Sequence, residues 1–243
     1  MVHADWVRCH RPPSPLSPHA RLPFSVVFSG AFSNTGQICC AIKRTFVHES
    51  IYDEFVEAIA TEARKAKMGD GFDPSTEFGP LNNAMQFEKV KGIVEDARAS
   101  GARIVTGGKV MDGAGKGYFY EPTIIADVKE GVRIVDEEQV SQLKLACPLP
   151  LSPVLYSAIC ICVDDFQVES LTVPLPTLQF GPVLPIIKYS TDEEALARAN
   201  KSDLGLGGSV WSKDIAKANE MANRIESGTV WVRTRNADLR HQR

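Results

Sequence analysis

Between residues 41 and 232 the spacing of apolar residues keeps changing period, from the two-residue alternation of strands to the three-and-four spacing of helices. That repeated change confines the chain to an α/β architecture. The run AIKRTFV at 41–47 reads as a strand, and Ser50 with Asp53 forms a capping-box-like pair that opens a helix. Ile51, Phe55, Val56 and Ile59 share one face of that helix, which Gly69 stops. A second helix sets Phe87, Val90, Ile93, Val94 and Ala97 on one side and ends near Gly101, with a strand at 103–106 after it. Further on, 182–189 reads as a strand, and Thr191 with Glu194 caps a helix running through Asn200. A short strand at 208–211 follows. Ser212 starts a helix buried through Ile215, Ala218, Ala222 and Ile225, and Gly228 ends it before the apolar run 229–232. Strand, helix and strand in repetition predict a largely parallel sheet with flanking helices.

The chain has 243 residues, enough for one large or two small domains, and 44% hydrophobic content supports a real core. Lys and Arg total 27 against 30 Asp and Glu, and no basic stripe offers an electrostatic footprint for nucleic acid. The six cysteines lack CxxC spacing, and the five histidines do not stand at zinc-site distances from them. Reduced thiols in the cytoplasm and no metal are therefore expected. The first 28 residues carry prolines and basic residues without an uninterrupted apolar stretch, which argues against a signal peptide. Segment 145–163 has no charged residue, but Pro148, Pro150 and Pro153 would break a membrane-spanning helix there, so no membrane partner is expected. The glycines at 107, 108, 113, 115 and 117 read as turns, because no GxGxxG follows a strand and no GxxxxGK[ST] occurs. His48, beside Glu49 at the end of a strand, reads as a surface residue.

Chemistry concentrates in FSNTGQICCA at 32–41, a small, polar, glycine-containing turn that delivers two adjacent thiols just before a strand. The decapeptide resembles the active-site cysteine segment of the aldehyde dehydrogenase superfamily. The chemistry that the resemblance implies suits a thiol: sulfur attacks an aldehyde carbon, the adduct can give up hydride, and the thioester left behind is labile to water. Asn34, Gly36 and Gln37 match that family's turn residues, Cys39 its nucleophile, and Cys40 the position after it. The resemblance implies that Cys39 points into the substrate tunnel while Cys40 faces packing. It continues in order through segments 46–59, 78–109, 117–125, 135–139, 180–190 and 199–232. It thus covers about residues 30 to 232 with one interruption.

The resemblance implies the catalytic domain of the aldehyde dehydrogenase fold, oxidation of a small-molecule aldehyde to a carboxylate, and NAD or NADP as cofactor. The family's EExFGP motif places a glutamate on the nicotinamide-side ribose and a phenylalanine near the nicotinamide ring. These would be Glu138 and Phe180 here, with forty residues between Gln139 and Phe180. The intervening 140–179 is rich in Pro, Ser, Leu and Cys, lacks glycine and continues no family segment. Valine codons begin with GT and a glutamine codon can end in AG, so the segment reads as an unspliced intron translated in frame; a true insertion loop is the alternative. Either way it is expected to be a poorly ordered excursion that the fold tolerates, because closure entropy grows only logarithmically with loop length. The expected organisation is a non-family segment at 1–29, catalytic domain at 30–139 and 180–232, the insert, and a divergent tail at 233–243. A nucleotide-binding domain with the family's general-base glutamate, and the strands that assemble its homo-oligomers, are not found in the sequence. The alternative to an aldehyde-oxidising enzyme is a non-catalytic fragment that at most associates with a full-length relative.

Overall fold

The computed structural model describes residues 22–112, 115, 117–137, 181–202, 205–212, 214–233, 241 and 242. The helices are α1 (Leu22–Phe32), α2 (Tyr52–Lys65), α3 (Ala84–Ala99), α4 (Arg133–Asp136), α5 (Asp192–Asn200) and α6 (Ile215–Ala222). The strands are β1 (Thr45–His48), β2 (Arg103–Thr106), β3 (Thr123–Ala126), β4 (Val183–Tyr189), β5 (Gly207–Trp211), β6 (Thr229–Arg233) and β7 (His241–Gln242). One sheet has the order β1-β4-β3-β2, with β4 parallel to both β1 and β3 and β2 antiparallel at the edge. The other has the order β5-β6-β7, its first pair parallel and its second antiparallel. The α/β class and the mainly parallel pairing match the sequence expectation.

Strand β4 shows why the layers form. Its side chains alternate between two apolar clusters, as the two-residue period of a strand requires. Leu184 and Ile186 join Val27, Phe28 and Phe32 of α1 and Tyr52, Phe55, Val56 and Ile59 of α2. Val183, Ile187 and Tyr189 join Val90, Ile93, Val94 and Ala97 of α3 and Ala218 and Met221 of α6. Strand β3 repeats the division, with Ile124 in the first cluster and Ile125 in the second. Both faces of the sheet are covered, which accounts for β4 reading as a near-continuous apolar run. Tyr52 ties the layers with polar bonds: its hydroxyl donates to Ile186 O at 2.9 Å and accepts from the Asp127 N–H at 2.7 Å. Burial pushes its pKa up to about 12.

Several boundaries differ from expectation. Strand β1 begins at Thr45, four residues late, because 41–44 leave the sheet to wall a cleft. The entry to α2 is a 3-10 turn, Glu49–Ile51, and its cap is the half-buried His48, whose Nδ1 accepts from the Ser50 N–H at 3.2 Å; Ser50 is not the cap. His48 also packs edge-on against Tyr189, so it is not a plain surface histidine. Helix α2 stops at Lys65, ahead of Gly69, because Lys67 O is taken by the Glu77 N–H at 2.8 Å and Met68 bridges Phe78. Asp214, not Ser212, caps α6, its side chain accepting from the Lys217 N–H. Ile215 is half exposed, and Ile225 lies beyond the helix end. The expected cap of α5 is present: Thr191 accepts from Glu194 N–H at 3.2 Å while Glu194 accepts from Ser190 N–H at 2.9 Å.

Segment 140–179 and the N-terminal 21 residues lie outside the described residues. Among the described residues no helix is long and apolar enough to cross a membrane.

Candidate active site

Helix α1 runs into a 3-10 turn, Ser33–Gly36, that holds three consecutive left-handed residues. Asn34 has φ 51° and ψ 38°, Thr35 φ 56° and ψ 35°, and Gly36 φ 70°. For a β-branched residue such as Thr35 that conformation is costly. Its offset is a bond from Thr35 Oγ1 to Gly79 O at 3.0 Å. Gly36 is sterically required as well, since a Cβ there would stand 2.2 Å from Gly181 O.

Gln37 fastens the turn from outside. Its Nε2 donates to Asn34 O at 3.1 Å and Pro80 O at 3.3 Å, and its Oε1 accepts from the Asn82 N–H at 2.8 Å. Asn34 Nδ2 returns a bond to Gln37 O at 3.2 Å. The Asn, Gly and Gln of the sequence motif therefore each do a separate mechanical job in shaping one turn.

That turn leads to Cys39 and Cys40, which occupy a second reversal closed by Ala41 N–H to Ile38 O at 3.0 Å. Both thiols are free, both are exposed, and both line a cleft of about 560 Å³. The expectation that Cys40 faces packing is corrected, because a tight turn presents both of its central residues outward. Val26 and Gly30 of α1, Arg44, the carboxylates Asp136 and Glu137, and Trp231 of β6 form other parts of the cleft wall.

Lys43 comes from the same wall. Its Nζ donates to Gly36 O and to Gly181 O, each at 2.8 Å, and burial pushes its pKa down to about 7. Burial also pushes the Arg44 guanidinium down, against the charge of Asp136, which raises it. Arg44 and Arg198 both approach the ring of Phe46, at 6.0 and 5.6 Å. Sequence reasoning did not single out Lys43. The signal was there: a Lys-Arg pair inside a run otherwise fit for burial.

Glu138 and Phe180 lie outside the described residues. Their chain neighbours are described and bear on the same site. Glu137 lines the cleft and is held by Arg133 at 2.5 and 3.1 Å. Gly181 touches the nucleophile turn through Gly36 and Lys43. Gly107 and Gly108, by contrast, are closed by protein: Cβ atoms there would meet Pro122 O at 2.4 Å and Ile104 Cγ2 at 2.7 Å. Both have positive φ, 69° and 77°, and are turn glycines.

The chain matches the model of the aldehyde dehydrogenase family over residues 22–141 and 177–242. It is 36% identical over 201 residues to the mitochondrial aldehyde dehydrogenase of Homo sapiens, covering 83% of this chain and 31% of that protein. It is 35% identical over 208 residues to human retinaldehyde dehydrogenase 3, covering 86% of this chain and 32% of that one. Among solved structures, a betaine aldehyde dehydrogenase from Staphylococcus aureus in complex with NAD+ aligns with TM-score 0.67 and 31% identity, over 90% of this chain and 37% of that chain. An aldehyde dehydrogenase from Bacillus cereus aligns with the same TM-score and 30% identity, over 88% and 35%. The chain spans about a third of the length of the curated relatives it matches.

Proposed function

The chain belongs to the aldehyde dehydrogenase family, and from that premise we propose that it carries the nucleophile of an NAD(P)-dependent oxidation of an aldehyde to a carboxylate. Cys39 is the nucleophile in this reading. Its sulfur forms a bond to the aldehyde carbon, and the carbonyl electron pair moves to oxygen, toward the backbone N–H of Cys39. NAD(P)+, when bound, supplies the acceptor for the hydride that leaves that carbon. Water then attacks the thioester, the C–S bond breaks, and the carboxylate departs with the thiolate restored, the two protons of the water passing to solvent.

Glu138 and Phe180 would hold the reactive end of the cofactor. The contact between the Cys39 turn and Gly181, the residue after Phe180, supports that placement. The observation that carries the proposal is an exposed Cys39 at the cleft, delivered by a left-handed turn in which Thr35 is fastened to Gly79, Gly36 to the buried Lys43 and Asn34 to Gln37. Thiol labelling with iodoacetamide followed by peptide mass analysis tests it: Cys39 is expected to react ahead of Cys40. The reverse order would remove Cys39 as the nucleophile.

A second reading, a chain that does not turn over alone and instead associates with a longer relative, is favoured by one observation: the carboxylate Glu137 at the cleft is already engaged by Arg133. NADH formation with an aldehyde panel separates the readings. Turnover by the chain alone supports the enzyme, and silence with retained Cys39 labelling supports the partner role. Assembly as a homo-oligomer belongs to the same proposal, supported by the open edges at β5 and β7 among the described residues. Light scattering tests it. Exposed reduced thiols suit the cytoplasm, although "mitochondrial" stands in the names of several relatives; fractionation decides.

A further inference from the structure

We infer that Lys43 is a positioning residue that locks the Cys39 turn against the chain segment leading out of Phe180. The inference rests on the reading of Cys39 as the nucleophile and adds a residue to that site. Lys43 stands four residues after Cys39, yet its Nζ reaches back to Gly36 O, three residues before the thiol, and across to Gly181 O, 138 positions away in sequence. One side chain thus spans the two ends of the site: the turn that carries the sulfur and the segment beside the proposed nicotinamide neighbour.

The junction has almost no slack. Gly36 lies so close to Gly181 O that no Cβ fits between them, and a Cβ on Gly181 would stand 2.4 Å from Val90 Cγ2 of α3. Helix α3 therefore backs Gly181, Gly181 backs Gly36, and the Lys43 amino group holds both carbonyls from the remaining side. Burying an amino group is unfavourable unless its donors are satisfied, and two carbonyl oxygens at 2.8 Å satisfy two of them. The aliphatic stem could fill the same space without nitrogen, so packing alone does not call for lysine here.

The test compares alkylation rates of Cys39 and Cys40 in the full chain, wild type against Lys43→Met and Lys43→Arg, with folding checked by thermal melting. Cys40 shares the turn and serves as an internal reference. Methionine keeps the stem and removes the donors; the Cys39 to Cys40 rate ratio is expected to fall about tenfold, on the order of one lost buried hydrogen bond. Arginine keeps donors for both carbonyls and is expected to recover most of the ratio, which a residue needed only for stability would not produce. An unchanged ratio in folded Lys43→Met overturns the inference while leaving Cys39 as the nucleophile. A wild-type Cys39 no faster than Cys40 overturns both. Should Lys43→Met not fold, Lys43→Gln, with one amide donor group, replaces it: an intermediate ratio supports the inference and an unchanged one overturns it.

Discussion

The nucleophile turn and the helix-covered sheet are held by different kinds of force. In the sheet, β4 sends alternate side chains into two apolar clusters, and Ile93, Ile124, Ile125, Leu184 and Ile186 are each fully buried among many neighbours. In the turn, a handful of polar atoms from Thr35, Gln37 and Lys43 bind backbone carbonyls of Gly79, Pro80, Gly36 and Gly181. The sheet is specified redundantly, so one lost contact weakens it without changing its course. The turn is specified by few contacts, each of them directional, and its left-handed backbone would relax once they were lost. A reactive group benefits from the second kind of support, since hydrogen bonds fix orientation where apolar packing fixes mainly proximity.

The sharpest break in that contrast is Gly36→Ala. It combines a left-handed φ with a Cβ driven into Gly181 O, and a loss of about 4 kcal/mol is expected from the strain and the clash together. Chemical denaturation should register it, along with loss of the Cys39 over Cys40 labelling preference. Ile93→Ala, in the core under α3, is expected to cost about 3 kcal/mol by leaving a cavity. Its labelling preference should survive in the folded fraction. If it disappears, the turn and the core are tightly coupled.

Tyr52→Phe comes next, at about 2 kcal/mol, because the Ile186 carbonyl and the Asp127 N–H both lose a buried partner. The smallest effect is a pH dependence. Lys43 has a folded pKa of about 7, against 10.5 when exposed. Below pH 7 it is charged in both states and contributes no slope. Above pH 7 the unfolded chain holds a proton that the folded chain has released, so stability rises with pH, by up to about 1.4 kcal/mol per unit for this one group. Denaturation midpoints at pH 7 and pH 8 should differ in that direction for the wild type, and Lys43→Met should reduce the difference.

The α/β class, the faces of α2 and α3, the capping box of α5 and the turn motif around Cys39 were legible from sequence, because each depends on contacts within a few residues or on a period that a folded surface imposes. Phe55, Val56, Ile59, Val90, Ile93 and Val94 are all buried as their spacing predicts. What failed did so where distant chain intervened. Residues 41–44 read as strand, yet they leave the sheet to wall the cleft. Ser50 reads as the cap, yet the His48 imidazole supplies the acceptor. Cys40 reads as packed, yet both thiols of a tight turn face outward. Lys43 is the clearest case: its position in the chain gives no hint of Gly181, 138 residues on, and only the parallel pairing of β4 with β1 and β3 brings that carbonyl to it. Sequence by itself determined the periodic elements and the reactive residue type, since these are local. Tertiary structure alone decided which backbone carbonyls meet the buried amino group, since hydrogen bonds between distant segments are set by the packing of the sheet and leave no periodic trace in the chain.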